Sequence, residues 1–512
     1  MKKNILRPIL ALSAAAILTV SAFTFMPTGT NVIAASQTEN TGVSATSTAP
    51  KYVFLFIGDG MSYPQIQAAS DYLGAKKQGN TPEILKGGEN LSFMNFPAVG
   101  SATTFDSTSF CPDSASTATS ISTGHKTYSS VINMDETKTI SYEAITEKVK
   151  DQLGYKIGVI TTVNLNHATP AAFYAHQASR NNYYEIGQEM VESGFDYFAG
   201  GGLLNPTGKN EDQESIYSLA EKAGYNVIDT QAEAEALTPE DGKSIIIGEN
   251  LADSDSLNYS NDRPDGEWAL KDYVAKGIEM LDNKNGFFMM VEGGKIDWAC
   301  HANDAGSTIS DTIALSEAVE EAVDFYKEHP TETLILVTGD HETGGLTIGY
   351  AGTDYDTYLA NLTNQKISYA KYDEEYVSKY VEENTPFETV LKDIKENFGL
   401  MTADDPDAAN NEKLVLTDYE LSKLKAAYDK TMSGEEVDSS NQEEYVLYGT
   451  YEPLSVTITH ILNNKSGINF ASYAHTGLPV GVFALGNGQD LFNGYYDNTD
   501  IYDKVAGLLD IE

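Results

Sequence analysis

KYVFLFIGDG, residues 51–60, decides the fold class of this chain. Its six consecutive apolar residues, 52–57, run into a Gly-Asp-Gly turn signal. A short, continuous apolar run that stops at glycine is typical of a strand buried on both faces. Five similar runs follow along the chain, at residues 156–163, 244–248, 286–294, 333–340 and 479–486. The sequence therefore predicts a sheet of buried strands, with Asp59 at the end of the first one.

Segments with helical periodicity alternate with these runs. Apolar residues recur at spacings of three and four over residues 140–153, 268–281 and 312–328. Strands that alternate with helices predict an α/β fold with a mostly parallel central sheet flanked by helices.

Residues 349–452 differ from this pattern because they are acidic, rich in tyrosine and poor in strand signals. Two pieces of the segment, 374–384 and 420–432, show helical periodicity. We interpret the segment as an acidic inserted cap on the core rather than an independent domain, within a globular part that spans residues 51–512.

The beginning of the chain is typical of an export signal. Residues 1–35 combine a basic start, an apolar run at 9–25 and small residues at the end, which is the order of a secretory signal peptide. An uncleaved membrane anchor is the alternative. Residues 36–50 are rich in Ser, Thr and Ala, which indicates a flexible leader. We therefore expect a secreted or extracellular protein, periplasmic if the source has an outer membrane, with no stable membrane span after cleavage.

The charge balance restricts the class of partner. The formal net charge of −42 argues against a nucleic-acid or anionic-membrane surface, since both need basic patches. If the substrate is an anion, a local cluster of cations has to reverse this field, and bound metal ions are the most compact way to do so. The two cysteines, Cys111 and Cys300, are too few for disulfides to be the main source of stability, and a single bridge between them stays open.

Polar residues stand where the predicted strands end. In an open α/β sheet, ligands bind outside the carboxyl ends of the strands. Taken alone, an aspartate or histidine at the end of a strand is more often a turn former or a helix cap than a ligand. Together, however, four histidines and four carboxylates make up the ligand set of zinc and magnesium sites. These strand-end residues are Asp59, His167, Thr169, Arg180, Glu292, Asp297, His301, Asp340, His341 and His475.

Spacing strengthens part of this set. Asp297 and His301 are four residues apart, so on a helical turn they face the same way and could hold one ion. The remaining histidines have no such candidate ligands near them in the sequence. We therefore assign no role to His125, His176, His329 and His460.

The stretch FCPDSASTATS, residues 110–120, places Ser114 where a helix should begin. One interpretation is helix capping by Asp113 or Ser114, with Pro112 fixing the entry of the chain. The other is nucleophilic chemistry, because backbone donors and the helix dipole favour an anion such as phosphate at a helix N-terminus. The stretch alone leaves both open.

Five motifs in one order resemble the alkaline phosphatase family, over about residues 52–350 and 459–486. They are IGDGMS, PDSASTAT, HATPAAFYAHQASR, VEGGKIDWACH with TGDHE, and AHTG. The resemblance implies an alkaline-phosphatase-like fold, a homodimer, and two Zn²⁺ and one Mg²⁺ per chain. It implies one zinc on Asp297, His301 and His475, a second on Asp59, Asp340 and His341, and a magnesium held by Asp59, Thr169 and Glu292, with His167 beside it. Ser114 matches the nucleophile and Arg180 the phosphate-binding arginine, which Asp113 would orient.

The chemistry of these roles is consistent. Zinc can hold a serine hydroxyl as its alkoxide near neutral pH, so no triad histidine is needed. The planar fork of Arg180 can bind two phosphoryl oxygens at once. We therefore expect a phosphomonoesterase that acts through a phosphoserine intermediate. The alternatives are a phosphodiesterase or sulfatase of the same superfamily, or a non-catalytic phosphate-binding protein; Cys111 lacks the Cys-x-Pro-x-Arg pattern of a sulfatase.

Two positions depart from the best-known bacterial form of the family. His167 stands where that form has an aspartate, and Trp298 where it has a lysine. Magnesium prefers oxygen ligands, whereas imidazole suits zinc better. We therefore expect the third site to bind magnesium weakly and to take zinc when zinc is abundant.

Overall fold

A computed structural model describes residues 49–512 of the chain. The predicted signal peptide, 1–35, and all but the last two residues of the predicted leader, 36–50, lie outside these described residues.

Fourteen strands lie within the described part of the chain. In chain order they are β1 (Tyr52–Gly58), β2 (Ala98–Thr103), β3 (Lys156–Asn164), β4 (Tyr197–Gly201), β5 (Asn226–Ile228), β6 (Ser244–Ile247), β7 (Phe287–Glu292), β8 (Thr333–Gly339), β9 (Glu342–Thr343), β10 (Thr347–Ile348), β11 (Ile468–Asn469), β12 (His475–Thr476), β13 (Val480–Gly486) and β14 (Gly494–Asp497). All six runs that the sequence predicts as strands are strands.

Ten of these strands form one sheet, in the order β14-β2-β13-β8-β1-β7-β3-β4-β6-β5. Every strand of this sheet except β13 runs parallel to β1; β13 is antiparallel to both of its neighbours, β2 and β8. The prediction of a mostly parallel sheet is confirmed. The direction of β13 could not be predicted, because strands buried on both faces have the same apolar pattern in either direction. Two small antiparallel pairs, β9 with β12 and β10 with β11, complete the strands of residues 49–512.

Helices cover both faces of the sheet. In chain order they are α1 (Tyr63–Gln78), α2 (Ser114–Thr123), α3 (Ile145–Lys148), α4 (Ala168–Ala171), α5 (Tyr183–Glu192), α6 (Ile216–Lys222), α7 (Gln231–Ala236), α8 (Leu270–Leu281), α9 (Lys295–His301), α10 (Ala305–Glu328), α11 (Tyr369–Tyr372), α12 (Ser378–Glu383), α13 (Phe387–Phe398), α14 (Asp418–Ser433), α15 (Gln442–Tyr448), α16 (Pro453–Ser466) and α17 (Thr499–Leu509). The prediction of a sheet flanked by helices is confirmed.

One predicted helix, 140–153, begins later than expected. The N–H of Tyr142 donates to the carbonyl of Asn133, and the N–H of Asp135 donates to the carbonyl of Ile140, so residues 140–142 pair with a preceding turn. The helix starts only at Ile145, where the Glu147 carboxylate accepts from the N–H of Ala144 at 2.7 Å. It then passes into a π-helical turn at Val149–Leu153. Backbone pairing with the preceding turn thus overrides the helical periodicity.

Side chains of β1 alternate between two hydrophobic cores. Phe54 and Phe56 belong to the core on one face of the sheet, and Leu55 and Ile57 to the core on the other. Apolar side chains of the 349–452 segment join the Phe54 core; they include Leu359, Tyr372, Phe398 and Leu424. The segment therefore shares its apolar interior with the sheet.

Two further properties concern the described residues only. None of their helices is both long and apolar enough to cross a bilayer. Cys111 is exposed, Cys300 is buried, and both are free thiols.

Candidate metal centre and active site

Three adjacent parallel strands place carboxylates at one edge of the sheet. β1 lies between β7 and β8, with Ile57 opposite Glu292 and Gly58 opposite Gly339. Asp59 directly follows Gly58, and Asp340 directly follows Gly339. The register therefore brings Asp59, Glu292 and Asp340 together, and all three are buried. We call these three residues the carboxylate half of the centre.

A second group, which we call the histidine half, consists of Asp297, His301 and His475. Asp297 and His301 share one face of α9, and His475 begins β12. His301 Nε2 lies 3.0 Å from His475 Nε2, and the Asp297 carboxylate oxygens lie 3.4 and 3.5 Å from these two nitrogens. The i, i+4 spacing of Asp297 and His301 does bring the two side chains together.

Backbone carbonyls select the tautomers of both histidines. His301 Nδ1 donates to the carbonyl of Tyr473 at 2.6 Å, and His475 Nδ1 donates to that of Pro112 at 2.5 Å. A carbonyl can only accept, so each Nε2 carries a lone pair. Two lone pairs that face each other at 3.0 Å beside a carboxylate repel unless a cation lies between them. The donor set therefore fits a metal ion with a preference for imidazole, such as zinc.

His341 connects the two halves. Its Nε2 lies 3.3 Å from Asp59 Oδ1 and 3.2 Å from Asp340 Oδ2. Its ring stacks on that of His475, with centroids 3.7 Å apart. Within residues 49–512, two residue groups could each hold a cation, namely Asp297 with His341 and His475, and Asp59 with Asp340 and His341. The geometry thus places His341 at the centre of the site.

The third group is looser. Thr169 Oγ1 donates to Asp59 Oδ2 at 3.3 Å, and the Thr161 hydroxyl donates to Glu292. Among the described residues, buried Asp59 Oδ1 and Glu292 Oε1 have no hydrogen-bond partner. Buried carboxylate oxygens without donors fit a cation that prefers oxygen ligands, such as magnesium.

His167 contacts the arginine of the site. Its Nε2 lies 3.3 Å from Arg180 Nη2, and its buried Nδ1 has no partner among the residues of 49–512. Burial, and then the charge of Arg180, lowers the pKa of His167 to about 3, so the ring is neutral. The structure therefore pairs His167 with the arginine.

Burial acts differently on the two halves. It raises the pKa of Glu292 and of Asp340 to about 7. It also raises the pKa of Asp59, to which the charge of Asp340 adds. For Asp297 the same burial is outweighed by His301, His475 and His341, which hold its pKa below the usual range. The carboxylate half is thus the part of the centre whose negative charge most needs a cation.

Ser114 is the first residue of α2, as its sequence context suggested. Asp113 is the N-cap, and its Oδ1 accepts from the N–H of Ser116 at 3.2 Å. The capping role thus belongs to Asp113, which leaves the Ser114 hydroxyl free for another role. Ser114 Oγ lies 3.2 Å from His341 Nε2, within the same cluster as Asp59 and Asp340.

Asp113 also binds Arg180. Arg180 Nη1 donates to Asp113 Oδ2 at 3.0 Å, and the Arg180 backbone N–H donates to the carbonyl of Ser130 at 2.8 Å. Burial raises the pKa of Asp113, but the charge of Arg180 and hydrogen bonds from Ser130 and Ser116 lower it below the usual range. The arginine is thus held beside the serine by an ionised carboxylate.

Several residues of the site were not predicted. Thr343 Oγ1 donates to Asp297 Oδ1 at 2.5 Å, and Thr117 Oγ1 donates to Asp340 Oδ2 at 3.0 Å. Both follow predicted residues closely, at two and three positions, but a threonine carries no signal of this kind on its own. Only their neighbours in space reveal the role.

Glu342 is the most connected of these residues. Its carboxylate accepts from Gln65 Nε2 at 2.7 Å, from the N–H groups of Gly345 and Leu346 at 3.1 Å, and from the Thr476 hydroxyl. In the β9–β12 pair Glu342 lies opposite Thr476, so the residues after His341 and His475 are bound to each other. The signal was its place directly after His341.

The four histidines without a predicted role lie outside the two cation-binding groups. His176 lies between Glu147 and Glu189, and His460 Nε2 contacts Asn303 Oδ1 at 3.1 Å. The rings of His125 and His329 pack on Tyr142 and Phe325, respectively.

Comparisons with known proteins agree on one family. The model of the family described as alkaline phosphatase matches residues 50–511. Alkaline phosphatase 4 of Bacillus subtilis is 30% identical over 467 residues, which cover 89% of this chain and 88% of the relative.

Solved structures are also similar to this chain. A cold-active alkaline phosphatase from Shewanella sp. is 27% identical, with a TM-score of 0.72, over 90% of this chain and 99% of that one. A histidine-to-glutamate variant of the TAB5 alkaline phosphatase, with Mg bound in its M3 site, is 25% identical, with a TM-score of 0.60, over 91% and 99%.

Proposed function

The chain belongs to the alkaline phosphatase family and hydrolyses phosphate monoesters, and from this premise we propose that Ser114 is its nucleophile. The observation that carries the proposal is the position of Ser114 Oγ, 3.2 Å from His341 Nε2 at the N-terminus of α2. There the hydroxyl faces the groups that would hold metal ions, while Asp113 caps the helix.

We propose two zinc ions and one magnesium ion per chain. Asp297, His301 and His475 would hold one zinc, and Asp59, Asp340 and His341 the other. Asp59, Thr169 and Glu292 would hold the magnesium. When bound, zinc lowers the pKa of a hydroxyl in its coordination sphere and neutralises charge on phosphoryl oxygens.

The residues of the chain divide the reaction into two displacements. Ser114 Oγ attacks phosphorus, the bond from phosphorus to the ester oxygen breaks, and the alcohol leaves with a proton. Water then attacks the phosphoserine, the bond from phosphorus to Oγ breaks, and phosphate leaves. Asp113 engages Arg180 Nη1, which leaves the other guanidinium donors for the phosphoryl oxygens.

The third site invites a comparison with the TAB5 variant, in which glutamate replaces a histidine and Mg is bound in the M3 site. We propose that the third site of this chain gains affinity for magnesium when His167 becomes a carboxylate. With His167 in place, we propose that zinc can occupy the site when zinc is abundant.

Location and assembly complete the proposal. We propose that the chain is exported by residues 1–35, that residues 36–50 form a flexible leader, and that the mature protein is a homodimer. We also propose that residues 349–452 are an inserted cap on a catalytic domain that spans 51–512.

Trapping of the phosphoserine tests the nucleophile. The zinc-loaded protein is mixed with a ³²P-labelled monoester, quenched in acid and digested, and the labelled peptide is sequenced. We expect label on Ser114 in the wild type and none in Ser114→Ala, with unchanged zinc content in the variant. Label on another residue would overturn the assignment.

Substrate class is tested separately with a chromogenic monoester, diester and sulfate ester, each with and without chelator. Monoester turnover that chelator abolishes is expected. Faster turnover of the diester or the sulfate ester would favour the alternative enzymes of the superfamily.

A further inference from the structure

A cavity of about 530 Å³ opens beside the loop that precedes β12. Its walls come from α14, α15, α16 and residues 469–473. The volume lies in the range of about 300–1,000 Å³ that is typical of sites for small molecules. None of the residues predicted for the catalytic centre lines it, although one wall residue, Tyr473, accepts from His301 Nδ1 through its carbonyl.

Aromatic and aliphatic side chains dominate the walls. They include Tyr350, Val446, Leu447, Phe470 and Tyr473. None of the residues of α15 is buried, although this helix carries two aliphatic side chains. Val446 is 66% exposed and Leu447 is 41% exposed. An occupant with an apolar or aromatic part would therefore remove apolar surface from water at this helix.

The charge of the lining is unusual for this chain. The full sequence has 75 acidic residues among 512, but none of the sixteen residues that line the cavity is a carboxylate. Lys423 is the one lysine among them. Burial, and then the charge of Lys423, lowers the pKa of the other basic residue, His460, to about 4, so His460 is neutral. The residues that line the cavity thus carry one positive charge and no negative charge.

Lys423 also differs from its neighbours on α14. Lys425 pairs with Asp429 at 2.5 Å, and Lys430 with Glu444 at 3.1 Å. Within residues 49–512, Lys423 has no carboxylate oxygen within 4.0 Å, and its Nζ lies 5.7 Å from the ring centroid of Tyr419. The ammonium is therefore available to an anion in the cavity.

We propose that this cavity binds a small aromatic or aliphatic anion. Its apolar part packs against Val446, Leu447 and Tyr473, and its anionic group pairs with Lys423. Apolar walls supply most of the contact area, and one cation orients the ligand, which is the usual division in small-molecule sites. The proposal does not depend on the catalytic mechanism.

The probe for the experiment is 8-anilinonaphthalene-1-sulfonate, an aromatic anion whose fluorescence rises in apolar surroundings. Titrated into the metal-loaded full chain, it should bind saturably at one site per chain. Lys423→Met should weaken binding at least fivefold. Lys425→Met makes the same change in charge two residues away, outside the lining, and should bind the probe like the wild type.

A second variant tests the location. Ala426 lines the cavity from an exposed position on α14, so Ala426→Trp can fill the space without entering the core. It should abolish the saturable fluorescence while monoester turnover stays at the wild-type level. Saturating inorganic phosphate, which occupies the catalytic site, should leave the number of bound probe molecules at one.

Four results would overturn the proposal. Equal probe affinity in Lys423→Met and Lys425→Met would show that no anion is recognised at Lys423. Wild-type binding in Ala426→Trp would show that the probe lies elsewhere. Displacement of the probe by phosphate would place it in the catalytic site, and absence of saturable binding would show that the cavity takes no such ligand.

Discussion

The histidine half and the carboxylate half of the metal centre each contain a buried aspartate, but the side chains around the two aspartates differ. Asp297 is surrounded by His301, His341 and His475, which outweigh its burial and hold its pKa below the usual range. Asp340 faces Asp59 and Asp297, and burial raises its pKa to about 7. The neighbours of a carboxylate, more than its depth, decide whether it stays ionised without a metal.

This difference has a consequence for the metal-free protein. Asp297 keeps a hydroxyl donor, Thr343 Oγ1, among its imidazole neighbours, whereas the carboxylate half leaves buried oxygens without donors among the described residues. Without metal, the loss of stability should therefore come mainly from the buried charges of Asp59, Asp340 and Glu292.

The largest expected effect comes from neutralising one acid in each half. Asp340→Asn and Asp297→Asn should each lower kcat/KM by about 10³-fold, because each removes a proposed zinc ligand. At pH 8 without metal, Asp340→Asn should raise the free energy of unfolding by about 2 kcal/mol, since it removes an uncompensated buried charge. Asp297→Asn should lower it by about 1 kcal/mol, because the Thr343 hydroxyl then donates to a neutral amide.

Urea unfolding of both variants in chelator measures this contrast. The wild type under the same conditions is the control. Shifts of the same sign in both variants would show that the two halves do not differ electrostatically.

The second prediction concerns the pH dependence of stability. Acids whose folded pKa is raised keep their proton between the unfolded pKa, near 4, and the folded pKa of about 7 for Glu292 and Asp340. The unfolded chain binds fewer protons in this window, so stability falls as the pH rises through it. Each of the two acids contributes about 1.4 kcal/mol per pH unit over roughly three pH units, so we expect the metal-free protein to lose on the order of 8 kcal/mol between about pH 4 and pH 7.

Unfolding curves in chelator across this window provide the test. Asp340→Asn is the matched control, since it retains every other titrating group and should show a shallower decline. A wild-type stability that rises with pH over the window would contradict the raised pKa values.

The third prediction addresses the link between the strands that carry His341 and His475. Glu342→Gln keeps the shape of the side chain but replaces one acceptor oxygen by a donor group that faces other donors. The free energy of unfolding should fall by about 2 kcal/mol. The zinc concentration for half-maximal activity should rise about tenfold, because the two histidines are positioned less firmly.

Zinc titration of the metal-stripped protein, read by bound metal and by activity, separates this effect from a loss of fold. Glu328→Gln, an exposed change at the end of α10, is the control. Unchanged zinc affinity in Glu342→Gln would reduce its role to packing.

The smallest expected effect is that of His167→Asp, which adds a carboxylate beside the carboxylate half. The new group can hold magnesium directly or through its waters, so magnesium affinity should rise about tenfold. Arg180 Nη2, 3.3 Å from His167 Nε2, limits the gain because it competes for the new charge. Trp298 itself carries no ammonium that would compete. An ammonium does lie nearby, however, because Lys295 Nζ is 4.7 Å from the Trp298 ring centroid.

Magnesium titration at fixed zinc, with bound metal and activity as readouts, measures the change. His125→Asp, an exposed histidine outside the centre, is the control. Coinciding curves for His167→Asp and the wild type would show that His167 acts only through its contact with Arg180 and takes no part in metal binding.

Most of the central sheet was predictable because β1, β3, β7 and β8 are runs of apolar residues that stop at turn signals. β2 and β4, in contrast, are AVGSAT and YFAGG, whose small residues carry no strand signal. Their neighbours in the sheet supply the burial that keeps them extended. The late start of α3 has a more local origin, because residues 140–142 pair with the turn at residues 133–135.

By itself, the sequence determined which residues are candidates for the chemistry. Strand ends, the Asp297–His301 spacing and the context of Ser114 are local patterns. They can be recognised from the order of residues along the chain alone. Only the tertiary structure decided how they meet: His301 and His475 come within 3.0 Å across 174 positions, His341 joins both halves, and His167 faces Arg180. Such contacts depend on the register of strands and loops far apart in the chain, and so do the pKa values, because burial and neighbouring charges exist only once the chain is folded.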